Sequence, residues 1–341
     1  MYRIDSIKTK TFRDLVENAQ TVATVSHTHP DGDAVGSSLG MAEWLRSLGK
    51  DVTTVFPDPI PATLQFMLSD EAKGKCLIYT EDPDKVRQLL DRCDLIICLD
   101  FPAAHRTEAM AEVLCAASAP KVQVDHHMDP QADLFALSFS EEEISSASEL
   151  AFWVMDAAGA ELPLSAATAL MTGMTTDTNN FANSTYPSTF EMASRLLELG
   201  VDRDAILERL NWSYEERRLQ AMGHLLTQMK VTDKGAAYMI LYAAYSASLG
   251  LKEGETEGFV NLPLGIRKVR MSLFLKETDE GHFRVSVRSK QGTSAAETAR
   301  KHFHGGGHER AAGGKLYFPQ DIPSPDDAAA YIEKVTDEDL D

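Results

Sequence analysis

Val22-Ala-Thr-Val-Ser26-His27-Thr-His-Pro-Asp31-Gly-Asp33-Ala-Val-Gly36-Ser37 is the stretch on which the fold turns. Val22–Ser26 is a short apolar run with β-branched residues. Ala34–Leu48 then carries apolar residues at helical spacing (Val35, Leu39, Met41, Leu45, Leu48) up to Gly49, a helix stop. Working outward, Asp51–Phe56, Cys76–Tyr79, Asp94–Leu99 and Lys121–Val124 read as strands, with helices over Asp84–Arg92 and Thr107–Ala116 between several of them. Strands alternating with helices predict an α/β fold with a mainly parallel sheet covered on both faces. Leu95-Ile-Ile-Cys-Leu99 is apolar without alternation, as a strand buried on both sides requires.

From Ser145 the pattern turns helical, over Ser146–Ala158, Ser165–Gly173, Ser188–Leu199 and Arg203–Leu210, with Glu215–Lys230 as one more helix. Strands are then expected at Ala236–Leu241, Val269–Leu275 and His282–Val287, helices at Thr293–His302 and Ala328–Val335. The expected organisation is a first domain over 1–190, a helical connector over 191–230 and a smaller C-terminal α+β domain over 231–341.

The 341 residues include 33 Lys and Arg against 52 Asp and Glu, a net charge of −19. Such a chain lacks the extended basic track that long duplex nucleic acid requires, although bound metal ions can supply positive charge locally. Hydrophobic residues at 43% and charged residues at 25% exclude a mostly disordered chain. Cys76, Cys93, Cys98 and Cys115 form no C-x-x-C pair and read as scattered buried thiols, which suits a reducing cytoplasm. No apolar run approaches a membrane span and Met1–Lys8 has no signal-peptide core, so neither a membrane nor secretion is expected.

Five segments carry chemistry. The loop His27–Asp33 lies where a strand ends and a helix begins, the place at which open α/β sheets bind ligands. Asp100 ends the buried strand, and Val124-Asp125-His126-His127 ends another. Asp177, in Thr175-Thr-Asp-Thr-Asn-Asn180-Phe181, closes a helical stretch. Each alone has an ordinary alternative: a solvated turn, a helix cap, a chance histidine pair, an Asx turn. Together they place His27, Asp31, Asp33, Asp100, His126 and Asp177 at successive element ends. Carboxylates with imidazoles suit Mn²⁺, with Mg²⁺ as the alternative, better than Zn²⁺. Two such ions about 3.5–4 Å apart would clamp a phosphoryl group and activate a bridging water. The fifth segment, Phe303-His-Gly305-Gly306-Gly307-His308-Glu-Arg310, lets backbone N–H groups approach an anion, and a helix starting after it would add its positive end. Alone, it reads equally as a flexible loop. Its neighbours Arg288 and Ser289, and eleven Lys and Arg against five Asp and Glu over 267–315, favour phosphate.

These five motifs, in this order, resemble the DHH phosphoesterase superfamily, with Gly305-Gly-Gly-His308 and Arg288 similar to the DHHA1 accessory domain of its first subfamily. In size and layout the chain is similar to the NrnA-like oligoribonucleases and pAp phosphatases. The resemblance implies two divalent cations, one on His27, Asp31 and Asp100 and one on Asp33, Asp100, His126 and Asp177. It implies that His127 meets the scissile phosphate, that Asp125 supports the histidines, and that Arg288, Ser289, Gly305, Gly306, Gly307 and His308 bind substrate across an interdomain cleft. The expected activity is 3′–5′ trimming of short oligonucleotides, extending to the 3′-phosphate of pAp. Cyclic or linear dinucleotide phosphodiesterase and pyrophosphatase or exopolyphosphatase-like activities are the alternatives, and a homodimer is open. The family often has Gly where this chain has Asn179, a residue that tolerates left-handed backbone. His29 reads as a loop residue in reach of substrate, and His105, His224, His282 and His302 as ordinary histidines.

Overall fold

The computed structural model describes residues 2–211, 214–252 and 254–340; the side chains of Asp70, Glu71 and His308 lie outside the described part. The chain divides into two compact units, Met1–Ser213 and Tyr214–Asp341.

The first unit opens with helix α1 (Ser6–Asn18), capped by the Asp5 carboxylate, which accepts from the Ile7 and Lys8 amides. Strand β1 (Thr21–Val25) and helix α2 (Gly32–Ser47) follow, then β2 (Asp51–Phe56), a short α3 (Asp70–Gly74), β3 (Cys76–Ile78), α4 (Pro83–Arg92), β4 (Leu95–Leu99), α5 (Ala111–Ala116), β5 (Lys121–Asp125) and β6 (Leu137–Ser140). The six strands run parallel in the order β3-β2-β1-β4-β5-β6. Chain order therefore reverses between β1 and β4, the switch point at which doubly wound sheets bind ligands.

All five residues of β4 are buried. Leu95, Ile97 and Leu99 join the core beneath α1, α2 and the later helices, whereas Ile96 and Cys98 join the core under α4 and α5. Successive side chains on a strand point to opposite faces, so a strand covered twice must be apolar throughout. The helix expected over Thr107–Ala116 is shorter than its pattern. A 3₁₀ turn covers Ala104–Met110, and Glu108 at φ 43 breaks it from α5. The cysteines are free, but Cys76 is half-buried and Cys115 exposed, which corrects the expectation of four buried thiols.

Helices α6 (Ala147–Ala157), α7 (Leu164–Asp177), α8 (Pro187–Glu198) and α9 (Arg203–Asn211) complete the unit. Gly32, Gly36 and Gly40 form a stripe at helical spacing along α2, and α7 lies directly against it. A Cβ on Gly36 would stand 2.6 Å from the Ala169 carbonyl and 2.8 Å from Gly173 Cα. This close crossing brings the start of α2 beside the end of α7.

The second unit comprises α10 (Glu216–Gln228), β7 (Lys230–Val231), β8 (Ala236–Leu241), α11 (Ala243–Leu249), β9 (Met271–Glu277), β10 (His282–Ser289), α12 (Ala295–His302), β11 (Gly306–His308), β12 (Ala311–Tyr317) and α13 (Ala328–Asp339). Its sheet is mixed, in the order β11-β12-β10-β9-β8-β7, with β8 and β9 the parallel pair. One face packs Leu273, Phe283, Val285 and Leu316 under α12 and α13. Met239, Leu241 and Phe274 cluster with Ala221 and Leu225 of α10. Among the described residues no helix is long and apolar enough to cross a membrane.

Candidate metal centre

His27 follows β1 and Asp100 follows β4, one on each side of the switch point. Asp100 sits at φ 66, a left-handed conformation that turns the chain sharply off the strand. Its two oxygens divide between the flanking histidines. Oδ2 is 3.4 Å from His27 Nε2 and Oδ1 is 3.5 Å from His126 Nε2. Among the described residues Oδ1, fully buried, accepts no hydrogen bond.

His27 Nδ1–H donates to the Thr28 carbonyl at 2.7 Å, so the ring turns its Nε2 toward Asp100 and toward Asp31 Oδ1 at 3.9 Å. Asp31 also caps α2, accepting from the Asp33 and Ala34 amides at 3.1 Å, and is the solvent-exposed member of the group. Asp31 therefore closes the turn as a helix cap and, with the same carboxylate, stands within reach of His27 and Asp100. Asp33, one residue into the helix and 1% exposed, faces His126 Nε2 at 4.0 Å; Asp177, at the end of α7, faces it at 3.7 Å. Ligand atoms of three sets lie within 4.8 Å of one another: His27, Asp31 and Asp100; Asp33, His126 and Asp177; Asp100, His126 and His127. All six proposed ligands thus converge, with Asp100 common to two of the sets.

His127 Nδ1–H donates to Asp125 Oδ1 at 2.8 Å, which fixes its tautomer and orients Nε2. Asp125 is fully buried, and Gln123 Nε2 donates to its other oxygen at 3.3 Å. Asn179 adopts the left-handed conformation its position demands, at φ 46, and Asn180 and Phe181 continue it at φ 58 and 64.

The charge balance points to cations. Burial opposes the charged form of His27, but Asp100 and Asp31 outweigh it and raise its pKa from 6.5 to about 9. At His126 burial again opposes, and Asp100, Asp33 and Asp177 raise it to about 10. Burial together with Asp100 and Asp31 pushes Asp177 up to about 6, and burial with Asp100 and Asp177 raises Asp33 well above the usual carboxylate range. Asp100 goes the other way: despite burial, His126 and His27 hold it low. Protons on two imidazoles do the work that divalent cations would do better. The orphaned Asp100 oxygen, the inward-facing imidazole nitrogens and a donor set of carboxylates and imidazoles fit Mn²⁺ or Mg²⁺.

Sequence reasoning missed several supporting groups. Asp58, after β2, accepts from the Thr28 hydroxyl and, at 2.9 Å, from the His29 amide, pinning the His27–Asp31 loop. The amides of Ala147 and Ser148 at the start of α6 donate to Asp33 at 2.6 and 2.9 Å. One signal was present in the chain: Ser146-x-x-Glu149 before an apolar run has the capping-box spacing, which marks the start of α6, although Glu149 takes the amide of Ser145 and not that of Ser146.

Residues 21–174 match the DHH family, N-terminal domain, and residues 236–334 match the DHHA1 domain. The bifunctional oligoribonuclease and PAP phosphatase NrnA of Thermus thermophilus is 31% identical over 307 residues, covering 88% of this chain and 85% of that protein. The chain belongs to the DHH phosphoesterase family. Among DHH relatives of known structure, an exopolyphosphatase-related protein from Bacteroides fragilis superposes with a TM-score of 0.92 at 33% identity, covering 99% of this chain and 98% of that one. The exonuclease RecJ bound to manganese shares the fold, with a TM-score of 0.59 at 17% identity, covering 99% and 95%.

In the DHHA1 domain, Arg288 lies on β10 opposite Ser272 of β9 and Ala311 of β12. Its Nη1 donates to backbone carbonyls, of Val287 at 3.0 Å and Ala312 at 3.4 Å. Burial lowers its pKa, against the pull of Glu257. The Ser289 hydroxyl donates to the Thr293 carbonyl at 2.8 Å and the Glu309 carbonyl at 3.3 Å, so it fastens the strand end. The helix that would add its positive end to the glycine run is not there. The chain turns at Glu309 and Arg310 and returns as β12. Gly305 and Gly307 are explained by packing in that hairpin: a Cβ on Gly305 would stand 1.9 Å from the Gly313 carbonyl, and one on Gly307, at φ 145, 2.6 Å from the Ala311 carbonyl. Gly306 has no such neighbour, the nearest being Arg300 Cγ at 3.8 Å. The backbone of His308 pairs with Ala311, while its side chain lies outside the described residues.

Proposed function

We propose that the protein is a metal-dependent phosphoesterase that releases mononucleotides from the 3′ ends of very short oligonucleotides and removes the 3′-phosphate of pAp. The observation that carries the reading is Asp100, buried between His27 and His126 with an oxygen toward each. The likeness to the Thermus protein, named for both activities and matched over most of both chains, supports the substrate class.

In this reading His27, Asp31 and Asp100 hold one divalent cation, and Asp33, Asp100, His126 and Asp177 the other, with Mn²⁺ favoured by the donor set. Bound together, the ions supply an activated water at neutral pH and neutralise charge on the phosphoryl group. His127, its Nδ1–H fixed by Asp125, presents Nε2 to the scissile phosphate. Among the described residues Arg288 has no carboxylate hydrogen-bonded to it, and it binds a second phosphate of the substrate, assisted by Ser289, Gly305, Gly306, Gly307 and His308. In this reading the first unit acts as the catalytic domain and the second binds substrate. Four free cysteines suit the cytoplasm.

A second reading, hydrolysis of phosphoanhydrides, is favoured by the description of the Bacteroides relative as exopolyphosphatase-related. One experiment separates them: a product profile over mono-, di-, tri- and five-nucleotide substrates, cyclic dinucleotides, pAp and pyrophosphate, with Mn²⁺ and then Mg²⁺. Mononucleotide release from dinucleotides and phosphate release from pAp are expected. Faster phosphate release from pyrophosphate than from pAp would reverse the order of the two readings, and turnover of cyclic dinucleotides above linear ones would move the substrate class.

A further inference from the structure

The mechanism above leaves one fully buried carboxylate unused. Glu149, on α6, is 0% exposed. Its Oε2 accepts from Ser145 N at 3.2 Å, Ser145 Oγ at 2.5 Å and Thr189 Oγ1 at 2.7 Å, and its Oε1 accepts from Trp153 Nε1 at 3.2 Å. These donors are all neutral. Burying a carboxylate is costly even when both oxygens are hydrogen-bonded, and apolar residues would fill the space more cheaply. What the bonds hold in place therefore matters.

They hold the turn that begins α6. A helix start leaves several amide groups without an intrahelical acceptor. Here the Ser146 hydroxyl takes the Glu149 amide at 3.0 Å, as an N-cap does. The Ala147 and Ser148 amides go to Asp33 Oδ2 and Oδ1, on a different helix. The positive end of α6 also favours a carboxylate there. Thr189 stands at the start of α8, so Glu149 ties the first turn of α6 to that helix as well. If the turn rotates, both donors leave Asp33 together.

We infer that Glu149 is a positioning residue for the metal position made by Asp33, His126 and Asp177. It fixes the first turn of α6 so that two amides aim the Asp33 carboxylate at His126 and Asp177. This rests on the ligand assignment proposed above. It differs from a plain core role in one consequence. Lost stability alone weakens both metal positions alike, whereas lost positioning weakens one and spares the position of His27, Asp31 and Asp100.

The test is calorimetric titration of the full chain with Mn²⁺, paired with the electron paramagnetic resonance signal of a coupled manganese pair and with Tm. Wild type is compared with Glu149→Gln and with Phe139→Leu, a core change on β6 that serves as the stability control. Glu149→Gln is expected to weaken the second binding event about tenfold, the low end of what removing a direct partner of a ligand costs, since Glu149 acts through the α6 amides, to keep the first, and to lose the coupled signal. Phe139→Leu is expected to lower Tm and to affect both events alike, with no selective loss of the second. Should Glu149→Gln fail to fold, Ser145→Ala removes one bond to Oε2 and decides the matter by a smaller loss at the same event. Unchanged binding in the folded variant, equal weakening of both events, or the same selective loss in Phe139→Leu would overturn the inference. Wild type that binds fewer than two ions would overturn the ligand assignment itself, and this inference with it.

Discussion

The two sheets present their functional residues in different ways. In the first unit, parallel strands end together, and His27, Asp100, Asp125 and His126 leave them as side chains at one edge. In the second, β9, β10, β12 and β11 alternate in direction, and the glycine-rich segment is an edge hairpin whose small residues let two strands touch. The first arrangement builds a centre out of donor atoms, each oriented by a backbone or side-chain partner. The second offers a half-buried guanidinium and an edge of backbone amides. The difference predicts where chemistry and where binding should fail on mutation.

The largest effect is expected at the shared ligand. Asp100→Ala leaves His27 and His126 facing one another without the carboxylate between them, and kcat should fall by at least ~10³-fold. Single-turnover assay at saturating Mn²⁺ measures it. Retained turnover would mean that the convergence of β1, β4 and β5 is not the reactive edge.

Next is the pH dependence of metal loading. In the metal-free protein His27 and His126 keep protons up to about 9 and 10, above the ordinary 6.5. A metal needs the bare imidazole nitrogen, so each ion expels a proton at neutral pH. Apparent affinity therefore rises with pH, by up to roughly tenfold per pH unit for each proton released, and levels off above about 9–10. By the same linkage, these raised pKa values stabilise the metal-free fold fully below about 6.5, and that stability is lost as pH rises through 9 and 10. Calorimetry in two buffers of different ionisation enthalpy counts the protons. A flat profile between pH 7 and 9 would show that the imidazoles are already bare.

The strand ends were legible because chemistry and periodicity coincide there. Strand β4 is apolar throughout, so the first polar residue after Leu99 stands out and Asp100 was readable for that reason; β5 carries Lys121 and Gln123, and Asp125 was readable instead from the His126-His127 pair that follows it. The α6 amides were not readable as partners of Asp33, because backbone groups have no letter in a sequence and the contact spans more than a hundred residues. Strand β12 was hidden by Gly313 and Gly314, which break the apolar pattern although the hairpin needs them bare. Helix α1 was hidden because only Thr9, Phe12 and Val16 of its residues are buried, too narrow a stripe to register.

A smaller effect is expected at Arg288. If the second unit binds rather than reacts, Arg288→Ala should raise KM about tenfold or more, the worth of a charged hydrogen bond to phosphate, and leave kcat within a few-fold. The split is measured on a dinucleotide and on pAp. A fall in kcat with KM unchanged would move Arg288 into the reacting group of residues and blur the division between the two sheets.

The smallest effect separates the two uses of glycine within one run. Gly305→Ala forces a Cβ against the Gly313 carbonyl, and should cost about 1–3 kcal/mol of stability through overpacking. Gly306→Ala meets only the flexible Arg300 side chain, and should change stability by no more than about 0.5 kcal/mol. Whatever Gly306→Ala does to KM therefore reports on access of a ligand to the hairpin backbone and not on folding. A rise in KM with Tm unchanged would give this edge a direct part in binding phosphate. With both unchanged, the glycines serve the hairpin alone, and recognition in the second unit narrows to Arg288.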